Sequence, residues 1–442
     1  ANFDTAGFLT LIYTTEPAAG GNDTILLGGG DNVAFGGVGA DTITGGVGND
    51  IIVGDNGSAA FHATTHVVVD VHTTSPVDAG ADTLSGGNGN NIVLGGGDKD
   101  RISTGTGADV IVGDNGLATF YSTGVLHTIE TSDPASGGDD TIDAGPGADV
   151  VFGGSGSDTI DAGTVAAGDV SRDVVLGDNG HADFDSLGRL TFVTTTDAAV
   201  GGNDKLYVGA GDNVAFGGFS ADIIEAGSGH DILVGDNGFA RFDAVTLAVA
   251  RVSTSDASSG GADTITAGDG NNIVLGGTAG DTITTGSGDD IVLGDSGYVD
   301  FVIRDGNTAD IDVIASTDFG VGGADDIKTF GGSDIVVGGA DADTIDAGGD
   351  NNIVFGDNAE ITAAIADAPN FSTQPLTIGL LKTVAPGIGG ADTIIVTATK
   401  RAQTLQETPV SVSVTTGETL ERAEIRDLLD LQTVAPSLRV SQ

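Results

Sequence analysis

Aspartate or asparagine recurs every nine residues over most of the chain, and this period constrains the fold more than any other feature. Asp23, Asn32, Asp41 and Asp50 form the first set of four, and the pattern returns six times. Each position lies in a frame close to Gly-Gly-x-Gly-x-Asp followed by a branched apolar residue, as in residues 45–53. Glycine permits tight turns, the carboxylate is a hard oxygen ligand, and the apolar residue can fill a narrow core.

These nonapeptides resemble the repeats of the repeats-in-toxin (RTX) family, from about residue 20 to residue 394. Nonapeptides of this type are a signature of a calcium-binding parallel β-helix. The resemblance implies a right-handed β-roll with two nonapeptides per coil and Ca²⁺ held in the turns between adjacent coils. It also implies export, since the family's proteins typically fold outside the cytoplasm. We therefore expect an all-β solenoid, a parallel β-roll or β-helix, with several bound Ca²⁺ ions.

The composition favours metal binding and argues against nucleic acid as a partner. The 442 residues include 75 Gly, and the entropy that glycine loses on folding requires another source of stability. Of the 64 acidic residues 56 are Asp, the shorter side chain that suits tight turns and coordinates Ca²⁺ from them. The net charge of −49 leaves no basic patch for phosphate. No apolar run reaches the ~20 residues of a membrane helix.

The predicted metal ligands are aspartates of the nonapeptide frame, because stacked turns would place their carboxylates in register from coil to coil. The alternative is that Asp and Asn only cap turns through hydrogen bonds to the backbone. That alternative is more credible for Asn32, Asn91, Asn213, Asn272 and Asn352, because a neutral amide binds a cation less strongly. The predicted ligands are Asp23, Asp41, Asp50, Asp82, Asp100, Asp109, Asp140, Asp149, Asp158, Asp173, Asp204, Asp222, Asp231, Asp263, Asp281, Asp290, Asp326, Asp334 and Asp343.

A larger repeat of about 58 to 66 residues encloses the nonapeptides and predicts about six units within a solenoid over residues 1–392. Each unit has four nonapeptides, a Gly-Asp-Asn-Gly-like signal and an insert whose apolar residues alternate as in a half-buried strand. The signal's aspartate could complete a metal site or belong to a plain turn. Two strands are expected in each insert, as a β-hairpin arm or an enlarged coil. A row of inserts would offer a lateral contact surface or simply cover an edge of the roll.

The C-terminal segment, residues 393–442, differs in composition from the solenoid. Residues 400–442 carry six acidic and five basic residues, so the high negative charge ends there. Residues 394–401, 405–412 and 427–438 resemble the start of the plug of TonB-dependent outer-membrane receptors. The resemblance implies a small α/β-like tail and a possible contact with the TonB system of the outer membrane.

The sequence favours a structural protein over an enzyme. It contains no Gly-x-Ser-x-Gly or His-Glu-x-x-His motif and no cysteine nucleophile. The leading interpretation is an extracellular calcium-dependent subunit of a filament, surface layer or adhesin stalk, at the surface of a Gram-negative bacterium. The alternative is a calcium-folded export or spacer module of a larger secreted enzyme or of a TonB-dependent receptor. Because the chain starts part-way through a repeat, head-to-tail self-association is a further expectation.

Overall fold

The computed structural model describes residues 1–163, 169–365 and 368–395, and this part of the chain contains strands, turns and loops but no helix. Accordingly, none of these residues forms a helix suited to crossing a membrane. The strands form three stacked layers, which we name the outer parallel sheet, the central parallel sheet and the hairpin sheet. The predicted all-β solenoid is confirmed.

Each coil of the solenoid contributes one strand to the outer parallel sheet and one to the central parallel sheet. Residues 18 apart are paired in parallel, as Ile25 is with Ile43, so a coil contains two nonapeptides. The strands of the outer sheet are Thr24–Leu26, Thr42–Val47, Thr83–Asn88, Arg101–Thr104, Thr141–Asp143, Thr159–Asp161, Lys205–Gly209, Ile223–Ala226, Thr264–Thr266, Thr282–Thr284, Asp326–Lys328, Thr344–Asp346 and Thr393–Ile395.

The central parallel sheet is buried on both faces. In Ile51–Val53, Ile52 packs against the outer sheet, whereas Ile51 and Val53 pack against the hairpin sheet. Two-sided burial explains why these strands are runs of apolar residues and do not alternate. The strands of this sheet are Val33–Phe35, Ile51–Val53, Ile92–Leu94, Val110–Val112, Val150–Phe152, Val174–Leu176, Val214–Gly218, Ile232–Asp236, Ile273–Gly277, Ile291–Asp295, Ile335–Gly339 and Ile353–Asp357.

The inserts form antiparallel hairpins that join edge to edge into one continuous sheet, which lies flat on the central sheet. Their alternate residues face inward, as Val193 does beside Ala240, and both side chains are fully buried. The expected strand pairs are confirmed. The strands are Asn2–Phe3, Leu9–Tyr13, Gly57–Phe61, Val68–Thr73, Gly116–Phe120, Leu126–Thr131, Gly180–Phe184, Leu190–Thr195, Gly238–Phe242, Val249–Thr254, Gly297–Asp300, Val313–Ser316, Ala359–Ala363 and Ile378–Thr383.

The structure corrects the predicted register at one aspartate. Asp325, and not Asp326, occupies the buried turn position, while Asp326 opens a strand with its side chain exposed. The reason is the core residue that follows: Ile327 is fully buried, and in each coil the turn aspartate precedes the core residue by two positions, as Asp41 precedes Ile43. The spacing to Asp334 is therefore the regular nine.

The solenoid continues slightly beyond residue 392. Thr393–Ile395 pairs in parallel with Thr344–Asp346 as a strand of the outer sheet. The rest of the predicted α/β-like tail, residues 396–442, lies outside the described residues.

Candidate metal centre

The first row of turn residues is a carboxylate ladder along the edge where the chain enters the outer sheet. In each coil the backbone N–H of the ladder aspartate donates to Oδ1 of the next coil's aspartate, at 2.6 to 3.2 Å. The ladder brings together all the predicted ligands that precede outer-sheet strands except Asp326. Its members are Asp23, Asp41, Asp82, Asp100, Asp140, Asp158, Asp204, Asp222, Asp263, Asp281, Asp325, Asp343 and Asp392.

The second oxygen of the ladder carboxylates is buried without a hydrogen-bond donor. Oδ2 of Asp100 has no partner, and the residue is 1% exposed; ten further members share this condition. Such an atom costs roughly 1–3 kcal/mol when nothing compensates it, and more when it is charged. A row of them therefore requires either protons or cations.

A glycine beside each of these oxygens leaves space that a side chain would fill. A Cβ on Gly95 would lie 2.3 Å from Oδ2 of Asp100 and 1.9 Å from the carbonyl oxygen of Gly113. The same arrangement recurs at Gly113, where the two oxygens belong to Asp140 and Gly153. Each coil thus presents a carboxylate oxygen and a backbone carbonyl oxygen to one narrow space. Calcium prefers this mixture of carboxylate and carbonyl ligands, so the residues present fit the ion.

Burial raises the pKa of the carboxyl groups in the interior of the ladder, from Asp82 to Asp343. Burial, aided by the negative charges of Asp82, Asp55 and Asp114, raises the pKa of Asp100 to about 10. Burial likewise raises the pKa of Asp204 to about 7. In the absence of a cation these carboxyl groups hold protons at neutral pH. A divalent ion would restore the ionised form and displace the protons.

The second row, which we name the mixed ladder, lies where the chain enters the central sheet and contains both Asp and Asn. Its backbone N–H groups donate to the next member's Oδ1 at 2.7 to 3.1 Å. It brings together the remaining predicted ligands with the five asparagines. The members are Asn32, Asp50, Asn91, Asp109, Asp149, Asp173, Asn213, Asp231, Asn272, Asp290, Asp334 and Asn352.

The asparagines of the mixed ladder satisfy by themselves the carbonyl groups that a cation would bind. The side-chain amide of Asn91 donates to the carbonyl oxygens of Gly87 and Gly89, at 3.1 and 2.9 Å, and to Oδ1 of Asp109 at 3.0 Å. The pKa of Asp109 is raised only to about 6, by burial that these donors partly offset. Where aspartates follow one another in the mixed ladder, burial raises the pKa of Asp149 to about 8 and that of Asp173 to about 9, and Oδ2 of Asp149 is buried without a hydrogen-bond donor. The asparagines therefore reduce the need for cations only at their own turns.

The Gly-Asp-Asn-Gly aspartates form a third set of carboxyl groups, and the five from Asp55 to Asp295 are buried and hold the hairpins to the roll. Oδ1 of Asp114 accepts the N–H of Gly138, on the loop that returns from the hairpin, at 2.9 Å. Oδ2 accepts the N–H of Ser155, in the next coil, at 2.5 Å. The neighbouring Asn115 donates to the carbonyl oxygen of Ser136 at 2.8 Å. These hydrogen bonds agree with the interpretation of the signal as a turn. The same aspartates also lie beside the carboxylate ladder, where a metal site was the other interpretation.

A further acidic cluster was not identified from the nonapeptide period. Asp305, Asp310 and Asp312 each place one carboxylate oxygen within 4.8 Å of the other two. They lie in residues 301–312, a longer hairpin tip than its counterpart at residues 62–67. The extra length and its three aspartates are the sequence signal that could have identified the cluster.

Comparison with known proteins supports the calcium assignment. A family model described as the RTX calcium-binding nonapeptide repeat (4 copies) matches residues 26–58, 77–111, 135–164, 199–238, 258–282, 267–298 and 328–359. No curated protein matches the chain. The model does not match the C-terminal segment, so the resemblance of that segment to a receptor plug has no support from the comparisons. The repeated match and the ladders lead to one conclusion: the chain contains RTX calcium-binding nonapeptide repeats, and its cofactor is calcium, bound at several sites.

Proposed function

We propose that the chain is an extracellular structural protein, a rod that calcium folds and that self-associates into a filament, surface layer or adhesin stalk. The observation that carries this proposal is the carboxylate ladder, which runs from Asp23 to Asp392 and has no buried Lys, Arg or His beside it among the described residues. Because the unoccupied ladder opposes folding at neutral pH, binding energy from calcium becomes folding energy.

The ladder supports a folding switch between two compartments. Extracellular calcium modules have Kd values of roughly 10⁻⁴ to 10⁻³ M, so a cell interior with little free calcium would leave the chain unfolded for export. RTX repeats are typical of secreted proteins. Millimolar calcium outside the cell would then fold the rod where it functions.

The exposed face of the hairpin sheet supports self-association. Arg241 lies 5.0 Å from the ring centroid of Phe192 and 5.7 Å from that of Phe239, and Arg251 lies 4.2 Å from that of Tyr298. Arginine and aromatic residues are enriched at protein interfaces. This arginine–aromatic patch is distinctive on a chain with 15 basic residues against 64 acidic ones.

The partner that best complements the patch is a second copy of the chain. Exposed aspartates on the turns leading into the central sheet, including Asp31, Asp212, Asp269 and Asp350, give another copy an acidic edge. Contact between that edge and the patch would pair opposite charges and cover the aromatic rings. A heterologous contact of this kind extends into a filament when the rotation between successive copies does not close a ring.

Sedimentation in 5 mM CaCl₂ tests the self-association. The wild-type protein is expected to form large species that dissociate as NaCl is raised, because exposed charges are screened. Arg241→Glu should abolish assembly without changing thermal stability. Arg101→Glu, the same charge change on the exposed face of the outer sheet, is the control and should assemble normally. A wild-type protein that is folded in calcium but monomeric at every concentration would contradict the proposal and favour a spacer module.

A further inference from the structure

A pair of carboxyl groups occurs once in each large repeat, at the point where the chain leaves the central sheet for a hairpin. In the clearest case, Asp178 directly follows Gly177, whose Cβ position would lie 2.2 Å from Oδ2 of Asp204. Both aspartates are buried, at 2% and 1% exposure. Five buried pairs are Asp55 with Asp82, Asp114 with Asp140, Asp178 with Asp204, Asp236 with Asp263, and Asp295 with Asp325, and the sixth, Asp357 with Asp392, is half-buried.

Two glycines make room for the carboxyl group at four of the six signals, those of Asp114, Asp178, Asp236 and Asp295. For Asp178, a Cβ on Gly201 would lie 1.8 Å from Oδ1 and a Cβ on Gly218 would lie 2.4 Å from Oδ2. The first glycine is on the loop returning from the hairpin and the second is in the next coil. At these four signals the carboxyl group therefore occupies space that the missing side chains of two glycines leave open.

An orphaned oxygen points into the same region. Oδ2 of Asp204 is buried without a hydrogen-bond donor, and a Cβ on Gly177, the residue before Asp178, would lie 2.2 Å from it. The carbonyl oxygen of Gly217 is 2.6 Å from that Cβ position. At this level of the roll, a second carboxyl group joins the carboxylate and carbonyl oxygens that every coil provides.

We propose that each Gly-Asp-Asn-Gly aspartate joins the adjacent ladder aspartate in a second class of calcium site, which carries one more negative charge than the sites of the intervening coils. The inference rests on the calcium function of the ladder and deepens it. Affinity for Ca²⁺ rises with the number of charged ligands, so these sites fill first. Because the same aspartates fasten the hairpins, the first ions to bind join the hairpin sheet to the roll.

Ladder aspartates with and without a second carboxyl group alternate along the roll, because each large repeat contains two coils and one Gly-Asp-Asn-Gly signal. Along the carboxylate ladder, Asp158 and Asp222 flank Asp204, and neither is preceded in its coil by a Gly-Asp-Asn-Gly signal. Every second coil of the roll therefore has the additional carboxyl group. We expect six high-affinity ions per chain, one for each pair, and a larger weaker class at the other coils.

Anomalous diffraction at a long wavelength from crystals of the wild-type chain grown in calcium tests the assignment directly. The inference predicts a calcium peak at roughly 2.3–2.6 Å from one carboxylate oxygen of Asp178 and one of Asp204. Ions on the ladder that leave Asp178 bonded only to backbone N–H groups would overturn the inference and leave the proposed function intact. Crystals without ions along the ladder would refute both.

Calorimetric titration of calcium-stripped protein provides a second test in solution. Wild-type protein should show a class of six sites with a Kd roughly tenfold below that of the remainder, and Asp178→Asn should leave five in that class. Asp326→Asn, at an exposed strand residue outside the ladder, is the control and should leave six. If Asp178→Asn lowers the melting temperature while all six tight sites remain, Asp178 only holds the hairpin to the roll through hydrogen bonds, and the inference is wrong. A single affinity class in the wild-type protein would contradict it equally.

Discussion

Removing calcium should make the stability of the rod fall as the pH rises, which is the reverse of ordinary acid denaturation. The ladder carboxyl groups have pKa values raised by burial, to about 7 for Asp82 and about 10 for Asp100. The folded chain therefore binds more protons than the unfolded chain, whose aspartates titrate near 3.9. The stabilisation is complete below that pH and is lost progressively as the pH rises through the folded-state values, between about 4 and 10.

The size of the effect follows from the same values. A pKa raised by one unit corresponds to about 1.4 kcal/mol, so ionising Asp82 in the folded state at pH 7 costs about 4 kcal/mol. Asp100 contributes a similar amount at that pH, because its further shift is expressed only above pH 7. Three or four such groups equal the ~5–15 kcal/mol that holds a typical domain together. The calcium-free rod should thus be folded near pH 4.5 and largely unfolded at pH 8.

Circular dichroism of calcium-stripped protein from pH 4 to pH 9 checks this prediction, with thermal melts at each pH. The β signal should disappear between those limits, and 5 mM CaCl₂ at pH 8 should restore it with release of protons. If the stripped protein is equally stable at pH 4.5 and pH 8, or more stable at pH 8, the buried ladder does not control folding and the reasoning is refuted.

Three substitutions test particular contacts. Gly113→Ala places a methyl group between a ladder carboxylate and a carbonyl oxygen, so the free energy of unfolding in calcium should fall by about 1–3 kcal/mol. The control is Gly331→Ala, whose added methyl group meets no atom within 4 Å and should leave stability nearly unchanged. Asp325→Asn should weaken calcium binding measured by titration, whereas the exposed neighbour variant Asp326→Asn should bind normally; the opposite pattern would restore the register expected from spacing alone. Ile111→Ala should cost about 2–5 kcal/mol in denaturant unfolding, because Ile111 is fully buried between the two parallel sheets; a loss below 1 kcal/mol would contradict that packing.

Much of the solenoid could be predicted from the period of the sequence. The nine-residue frame gives both the strand length and the turn, and two frames per coil bring aspartates 18 residues apart into register, as Asp23 and Asp41 are. The alternation of residues 240–254 likewise predicts a strand pair. Both signals are local, because each residue's role is set by its position within one frame.

The remaining features depend on contacts that spacing does not encode. That the hairpins cover the central sheet could have been suspected from Ile51–Val53, whose three apolar residues need two buried faces. The difference between the ladders depends on where the Asn91 amide points, which is a matter of turn geometry. The spacing of the repeats alone places the turn aspartate at Asp326. The buried core residue Ile327 sets it at Asp325, two positions earlier.

The most direct test of the central claim is a calcium titration of stripped protein at pH 7.5, followed by circular dichroism and light scattering together. The account predicts a cooperative gain of β structure as calcium is added, and an increase in scattering as the folded rods associate. A gain of structure without scattering would keep calcium-coupled folding and contradict self-association. Full β structure before any calcium is added, unchanged throughout the titration, would show that the buried aspartates only cap turns and would contradict the account.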